Sequence, residues 1–139
     1  MGRVGDRPGE SGRLALRFLI DSVILIDHFN GREAATRCLA RIGPEAALSV
    51  ITRAEVLAGF DPAGTAAALG LLDRFPTLII DPPVADLAAR LRREHRWKMP
   101  DALQAALARY HSLELVTRNT RDFPPDRYGF VMVPYVLPG

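Results

Sequence analysis

Four acidic residues stand where the sequence pattern suggests that a strand ends or a helix begins: Asp21, Glu55, Asp101 and Asp122. Carboxylates that meet at one place repel one another, and such a group persists mainly when a divalent cation neutralises it. Ligation by oxygen alone suits Mg²⁺ or Mn²⁺ rather than zinc. These residue types therefore predict metal-assisted hydrolysis, in which the ion holds a phosphate and lowers the pKa of a bound water molecule.

Three of these acids also have a structural interpretation. Thr52-Arg-Ala-Glu55 matches a capping box, which by itself favours a helix cap over a ligand for Glu55. Asp101 is placed to cap the helix that it opens, and Asp122 is placed to order a turn with Asn119. Asp21 is harder to explain in this way, because an ionisable group at the end of an apolar run pays for desolvation unless something compensates its charge.

The elements that must position these acids alternate along the chain as in an α/β protein. Apolar runs predict strands near 14–20, 45–50, 77–80, 113–117 and 130–134. Helical spacing predicts helices near 23–29, 31–41, 52–60, 63–73, 83–96 and 101–111. The strands are mostly apolar rather than alternating, so helices should cover both of their faces. We expect a three-layer α/β/α sandwich around a mainly parallel sheet of about five strands, with ligands bound beyond the carboxyl ends of the strands.

Length and composition favour one soluble domain. A chain of 139 residues is the size of a single domain, and 48% hydrophobic and 24% charged residues are ordinary for a globular protein. Cys38 is the single cysteine, which excludes an internal disulfide and argues against a cysteine-based zinc site. With no apolar run long enough for a signal sequence or a membrane span, we expect a cytoplasmic protein without a membrane partner.

Residues 1–12 contain four glycines and few apolar side chains, so we expect a flexible extension there and a folded domain over 13–139. The net charge of +2 is compatible with nucleic acid but does not establish it. Basic residues that could contact an RNA backbone are Arg118 and Arg121 beside the acidic residues, and Arg93, Arg96 and Lys98 in a basic run. Such a run is more often a solvated helix face.

Four stretches of sequence together resemble the PIN-domain family, and most of all its VapC-type toxins of bacteria and archaea. They are FLIDSVILID (18–27), LSVITRAEVLAG (48–59), PDALQAA (100–106) and LVTRNTRDF (115–123). Their order and separations are similar to those of the family, and the likeness extends from residue 16 to nearly the end of the chain. The resemblance implies a PIN-like sandwich and a metal-dependent endoribonuclease that uses Mg²⁺ or Mn²⁺.

The resemblance also implies roles for individual residues. Its acidic metal-binding and catalytic cluster is Asp21, Glu55, Asp101 and Asp122, and its supporting polar residues are Ser22, Thr117 and Asn119. Asp21 and Asp101 would bind the principal metal, and Glu55 would complete its shell or orient the attacking water. Asp122, the least constant acid of the family, would serve a second metal or the same water. Family members usually carry Thr-Asn or Ser-Asn after the first aspartate, whereas here Ser22 is followed by Val23.

For partners, the resemblance implies an RNA substrate, a homodimer, and a cognate antitoxin that blocks the site within a larger hetero-oligomer. Asp27 belongs to the first of the four stretches and is interpreted as structural or peripheral. Trp97 could stack on a base, but its position near Pro100 favours a plug at the edge of the core.

Two other functions stay open at this point. One is a catalytically inactive PIN-like scaffold that binds RNA or protein, although the set of four acids argues against it. The other is a phosphoacceptor signalling domain of flavodoxin-like fold, suggested by Asp21 and Asp81 at two strand ends. That domain would need paired acids after its first strand and a lysine after its last major strand. Ser22 and Arg118 stand at these places instead.

Overall fold

The computed structural model describes residues 15–138, and the extension expected over 1–12 lies outside the described residues. The strands are Phe18–Ile20 (β1), Ala46–Ser49 (β2), Thr77–Leu78 (β3), Glu114–Val116 (β4) and Val131–Met132 (β5). The helices are Ser22–Phe29 (α1), Glu33–Ile42 (α2), Val50–Ala58 (α3), Pro62–Leu72 (α4), Pro82–His95 (α5) and Met99–Tyr110 (α6). Every predicted element is present, with strands shorter than expected.

The five strands form one sheet in the order β3-β2-β1-β4-β5, and all four neighbouring pairs are parallel. The first strand of the chain is therefore the central one, with Phe18 opposite both Ala46 and Glu114. Because all strands run the same way, their carboxyl ends meet at one edge, where polar side chains from different segments come together. The parallel sheet that the sequence predicts is confirmed.

Helices cover both faces of the sheet, which confirms the three-layer architecture. On one face Leu19 and Leu115 pack with side chains of α5 and α6. On the other face Phe18 and Ile20 belong to a second buried cluster, with side chains of α1 to α4. Leu19 and Ile20 are both fully buried. Since successive side chains of a strand point to opposite faces, β1 must be apolar throughout.

Two predicted helix caps are wrong. Ser49, the last residue of β2, caps α3, and its hydroxyl accepts a hydrogen bond from the Thr52 backbone N–H at 2.9 Å. The capping box of Thr52 and Glu55 is therefore absent, because the strand turns directly into the helix one turn earlier. Lys98, not Asp101, is the N-cap residue of α6. Asp101 lies in the first turn, where the positive end of the helix dipole stabilises a negative charge.

The turn at α5 removes one alternative function. Asp81 caps α5 through the Val84 N–H at 3.3 Å, and two prolines begin the helix as expected. Flavodoxin-like sheets have the order 2-1-3-4-5, which differs from the order seen here. The phosphoacceptor alternative is therefore wrong for this fold.

The C-terminal end of α5 is marked by Arg96, whose φ of 58° lies in the left-handed region. Within residues 15–138 no helix is long and apolar enough to cross a membrane.

Candidate active site

An open cavity of about 480 Å³ is lined by side chains that follow β1 and β4 and by side chains of α3 and α6. All four predicted acids line this cavity: Asp21, Glu55, Asp101 and Asp122. Each acid comes from a different segment, so it is the parallel sheet that brings them together. The supporting residues Ser22 and Asn119 also line the cavity.

Asp21 is the most buried of the four acids, with 9% of its surface exposed. Its Oδ1 accepts hydrogen bonds from the Ser22 backbone N–H at 2.9 Å and from Gln104 Nε2 at 3.2 Å. Its Oδ2 accepts one from the Thr117 hydroxyl at 2.6 Å. Each carboxylate oxygen offers about two acceptor positions, so Oδ1 is saturated and Oδ2 keeps one position for another ligand.

The loop after β4 places the fourth acid. The buried Thr117 hydroxyl, which donates to Asp21, accepts the Asn119 backbone N–H at 3.0 Å. The Asn119 amide then donates to Asp122 Oδ2 at 3.0 Å, so the turn predicted for Asp122 is confirmed. Asp122 nevertheless lines the cavity, and the two interpretations of this residue do not exclude each other. From outside the loop, Trp97 Nε1 donates to the Asp122 carbonyl at 2.9 Å.

Trp97 is buried, with 5% of its surface exposed, and its ring packs against Phe123. The core plug predicted for this residue is confirmed. It serves the site as well, because it fixes the backbone at Asp122.

The cavity is electrostatically negative. Burial, followed by the charges of Asp122, Asp21 and Glu55, raises the pKa of Asp101 to about 6, and the charge of Lys98 opposes this shift. Within residues 15–138, no lysine, arginine or histidine forms an ion pair with any of the four acids. The repulsion that the sequence predicts is therefore present, and the chain described here does not neutralise it.

The donor set fits a hard cation, with one restriction. Among residues 15–138, no three His, Cys, Asp or Glu side chains are close enough together to coordinate one metal ion as a cage of protein ligands. Mg²⁺ does not require such a cage, because it keeps several of its own water molecules and usually takes one or two carboxylates. The free position on Asp21 Oδ2 and the unpaired charges around Asp101 suit that mode of binding.

The basic residues predicted to contact RNA are placed unequally. Arg118 lines the cavity, but its guanidinium donates to both carboxylate oxygens of Asp27, at 2.6 and 2.8 Å. Arg121 lines the cavity and is exposed. The other three, Arg93, Arg96 and Lys98, are exposed and do not line it. Arg121 is thus the basic residue best placed for a substrate.

Sequence reasoning missed two residues of the site. Gln104 lines the cavity and donates to Asp21 and, at 2.8 Å, to Thr52 Oγ1. Thr52 is fully buried, whereas the sequence pattern alone places it in a capping box. The one available signal was a glutamine among alanines on the packing face of α6. Val23 stands where family members usually carry an asparagine. In this chain the side-chain amide that contacts Asp21 is that of Gln104 on α6.

Comparison with known proteins gives concordant matches. A family model described as PIN domain matches residues 18–127. Ribonuclease VapC19 of Mycobacterium tuberculosis is 33% identical over 114 residues, which cover 76% of this chain and 91% of that protein.

Two solved structures extend this similarity to three dimensions. A toxin-antitoxin complex from Klebsiella pneumoniae is 38% identical, with a TM-score of 0.79 and coverage of 86% of this chain and 98% of that one. FitAcB from Neisseria gonorrhoeae is 26% identical, with a TM-score of 0.72 and coverage of 86% and 99%. The range matched by the family model contains all four acids of the cavity.

Proposed function

This chain belongs to the PIN-domain family, and from that premise we propose that it is a Mg²⁺- or Mn²⁺-dependent endoribonuclease and the toxin of a toxin–antitoxin pair. Its similarity to a ribonuclease and to a toxin-antitoxin complex supports the proposal. The observation that carries it is the convergence of Asp21, Glu55, Asp101 and Asp122 on one cavity. No cation of the described chain pairs with them.

In this proposal the residues of the cavity divide the work. Asp21 and Asp101 hold the cation, which when bound supplies positive charge for the phosphate and acidifies water. Thr117 and the Ser22 backbone keep the Asp21 carboxylate in one orientation. Glu55 is exposed at the cavity wall, where it orients the attacking water or completes the shell of the ion. Asp122 serves the same water or a second ion.

The substrate would lie along the open side of the cavity, with its backbone phosphates near Arg121. In-line attack at phosphorus breaks the bond to the 3′ oxygen and leaves a 5′ phosphate and a 3′ hydroxyl. Because Arg118 is held by Asp27, its contribution to RNA binding is expected to be the smaller of the two.

The direct test is RNA cleavage by the purified chain with Mg²⁺ or Mn²⁺, with EDTA, and after cation is restored. We expect EDTA to abolish cleavage and added cation to restore it. Asp21→Asn should abolish cleavage while circular dichroism shows an unchanged fold. Asp126→Asn is a matched control, because Asp126 is exposed and does not line the cavity. Cleavage that survives EDTA or Asp21→Asn would refute the proposal. Sequencing of the RNA ends identifies the cut positions.

The inactive scaffold is the second candidate, and one observation favours it: no finished metal cage exists among residues 15–138. Calorimetric titration with Mn²⁺ separates the two functions. Heat of binding that disappears in Asp21→Asn supports the nuclease. RNA binding without Mn²⁺ binding and without cleavage supports the scaffold.

An antitoxin partner and a homodimer belong to the same proposal. The negative cavity suits a partner that inserts a basic side chain among the acids, and a solved relative is a toxin-antitoxin complex. Co-expression with a cognate antitoxin should give a stable complex that does not cleave RNA. Light scattering on the chain alone should give the mass of a dimer. The mass of a monomer would contradict the proposed homodimer.

A further inference from the structure

Gln104 is a buried polar residue in an apolar setting. It lies on α6 with 2% of its surface exposed, and its neighbours Ala102, Ala105 and Ala106 are fully buried. Glutamine is seldom buried unless its amide has partners. What this side chain contacts therefore bears on why it is there.

Both hydrogens of the Gln104 amide are used. One goes to Asp21 Oδ1 at 3.2 Å and the other to Thr52 Oγ1 at 2.8 Å. Thr52 gives its own hydroxyl hydrogen to the Ile20 carbonyl at 3.3 Å, so toward Gln104 it accepts. An ionised carboxylate also only accepts, and the amide nitrogen must therefore face Asp21. The orientation of the amide is fixed by its partners.

The carbonyl end of the same amide is not satisfied. Gln104 Oε1 is buried and has no hydrogen-bond partner. An unpartnered buried carbonyl destabilises the folded state and offsets what the two donated hydrogen bonds contribute. Leucine or methionine would fill a similar volume without that carbonyl. Stability alone does not account for a glutamine at this position.

The contacts of Gln104 join the segments that carry three of the acids. It touches Asp21 at the end of β1 and Thr52 on α3, and Thr52 precedes Glu55 by three residues. Gln104 itself follows Asp101 by three residues on α6. In a helix, residues three apart lie on one side, so Thr52 and Glu55 are adjacent, as are Asp101 and Gln104.

We propose that Gln104 is a positioning residue that holds Asp21 Oδ1 and fixes α3 against α6, so that Oδ2 faces the cavity for the cation. The inference rests on the proposed function, since it assigns Gln104 to the same cation site. Partners that orient a metal ligand typically change metal affinity or activity by about 10- to 100-fold when they are removed.

The test measures Mn²⁺ affinity and metal-free stability of the full chain carrying Gln104→Leu or Gln104→Met. We expect Mn²⁺ to bind about 10-fold more weakly in both variants. The metal-free Tm should change little, because loss of the two hydrogen bonds and removal of the unpartnered carbonyl oppose each other. Leu107→Met is the matched control, a volume-conserving change at a fully buried position of α6 that makes no polar contact with the site. It should leave the Mn²⁺ affinity unchanged.

A second pair of variants tests the same contact from α3. Thr52→Val removes the acceptor of the Gln104 amide and should weaken Mn²⁺ binding. Thr52→Ser retains the hydroxyl and should bind Mn²⁺ as the wild type does. This pair decides the question if the Gln104 variants do not fold.

The outcomes distinguish failure of the proposed function from failure of the positioning role of Gln104. Wild-type protein that binds no Mn²⁺ refutes the proposed function and this inference together. Wild-type binding that disappears in Asp21→Asn but is unchanged in Gln104→Leu overturns the positioning role alone. A lower metal-free Tm with unchanged Mn²⁺ affinity also overturns it, because that result assigns Gln104 a purely structural role.

Discussion

Asp21 and Asp27 are two buried carboxylates at opposite ends of the same helix, and they differ in their partners. Asp27 receives two hydrogen bonds from the Arg118 guanidinium, at 2.6 and 2.8 Å, and one from the Tyr135 hydroxyl at 2.8 Å. Asp21 receives hydrogen bonds only from neutral groups. The charge of Asp27 is thus neutralised within the chain, whereas that of Asp21 is solvated but not neutralised.

The difference shows how a buried acid can be either structural or functional. A paired carboxylate is complete and contributes to the fold, whereas one surrounded by dipoles alone retains an attraction for an external cation. The two sites are also connected through the chain. Arg118 stands between Thr117, which holds Asp21, and Asn119, which holds Asp122. The ion pair at Asp27 therefore anchors the loop from which the candidate site is built.

The largest effect should come from breaking the structural member of the pair. Asp27→Asn keeps the size of the side chain but leaves Arg118 without its counter-charge. We expect the free energy of unfolding to fall by about 3 kcal/mol, the lower end for a broken buried pair, because 34% of the Arg118 side chain is exposed. Urea unfolding measures this. Mn²⁺ should still bind the folded variant, and an unchanged stability would contradict the structural role.

The same substitution at the other carboxylate should have the opposite pattern. With Mn²⁺ at 100 times its Kd, we expect the wild-type chain to gain about 2.7 kcal/mol of stability. Asp21→Asn should lose this gain and, without cation, be as stable as the wild type or more so. The reason is that it removes one of the charges that raise the pKa of Asp101. Thermal unfolding with and without Mn²⁺ measures both effects. Equal stabilisation of the wild type and of Asp21→Asn by Mn²⁺ would contradict the role of Asp21 as the carboxylate that attracts the cation.

Acid should act on Asp27 through a defined window. The Arg118 side chain, aided by Tyr135 and opposed by burial, holds the Asp27 pKa below its ordinary value of 3.8. The unfolded chain then takes up this proton at a higher pH than the folded chain. The stabilisation is complete above about pH 4 and is lost as pH falls through the lowered pKa. Urea unfolding of the wild type and of Asp27→Asn between pH 2 and 7 should converge on the acid side. Parallel curves would contradict the shift.

The smallest effect concerns Arg121, the exposed arginine that lines the cavity. Arg121→Gln should reduce RNA cleavage at low salt by about threefold and lower the slope of binding against salt by roughly one unit. Arg109→Gln, at an exposed site near the end of α6, should change neither quantity. Cleavage rates and RNA affinity across a salt series measure both. A variant of Arg121 with the wild-type salt response would remove this contact from the proposal.

Much of the fold could be predicted because it follows from local patterns. Apolar runs such as that ending at Ile20 must be buried on both faces, which requires helices on both sides of a parallel sheet. The same parallel sheet predicts that Asp21, Glu55 and Asp122, which follow strands, meet at one edge. Asp101 follows a helix, and its place in the cluster was implied by the family resemblance. The helix starts were less predictable, since Ser49 and Thr52 are both good caps and only the point at which β2 ends decides between them.

The rest of the site depends on contacts between distant parts of the chain. Gln104 lies 83 residues from Asp21, and Arg118 lies 91 residues from Asp27. No periodicity or spacing marks such pairs, because each partner fits its own helix or loop without the other. The sequence therefore indicated which acids line the cavity, but not which neutral or basic groups contact each of the buried acids.

The central position of β1 has a consequence for protein synthesis. This strand pairs with β4, and Asp21 is held by a threonine 96 residues further along. A ribosome must therefore complete most of the chain before the middle of the sheet acquires its second neighbour. A growing chain that has reached only α6 carries Asp21, Glu55 and Asp101, but neither Thr117 nor Asp122. The four acids of the cavity, and the Thr117 hydroxyl that orients Asp21, are therefore all present only after β4 and the loop that follows it have been synthesised.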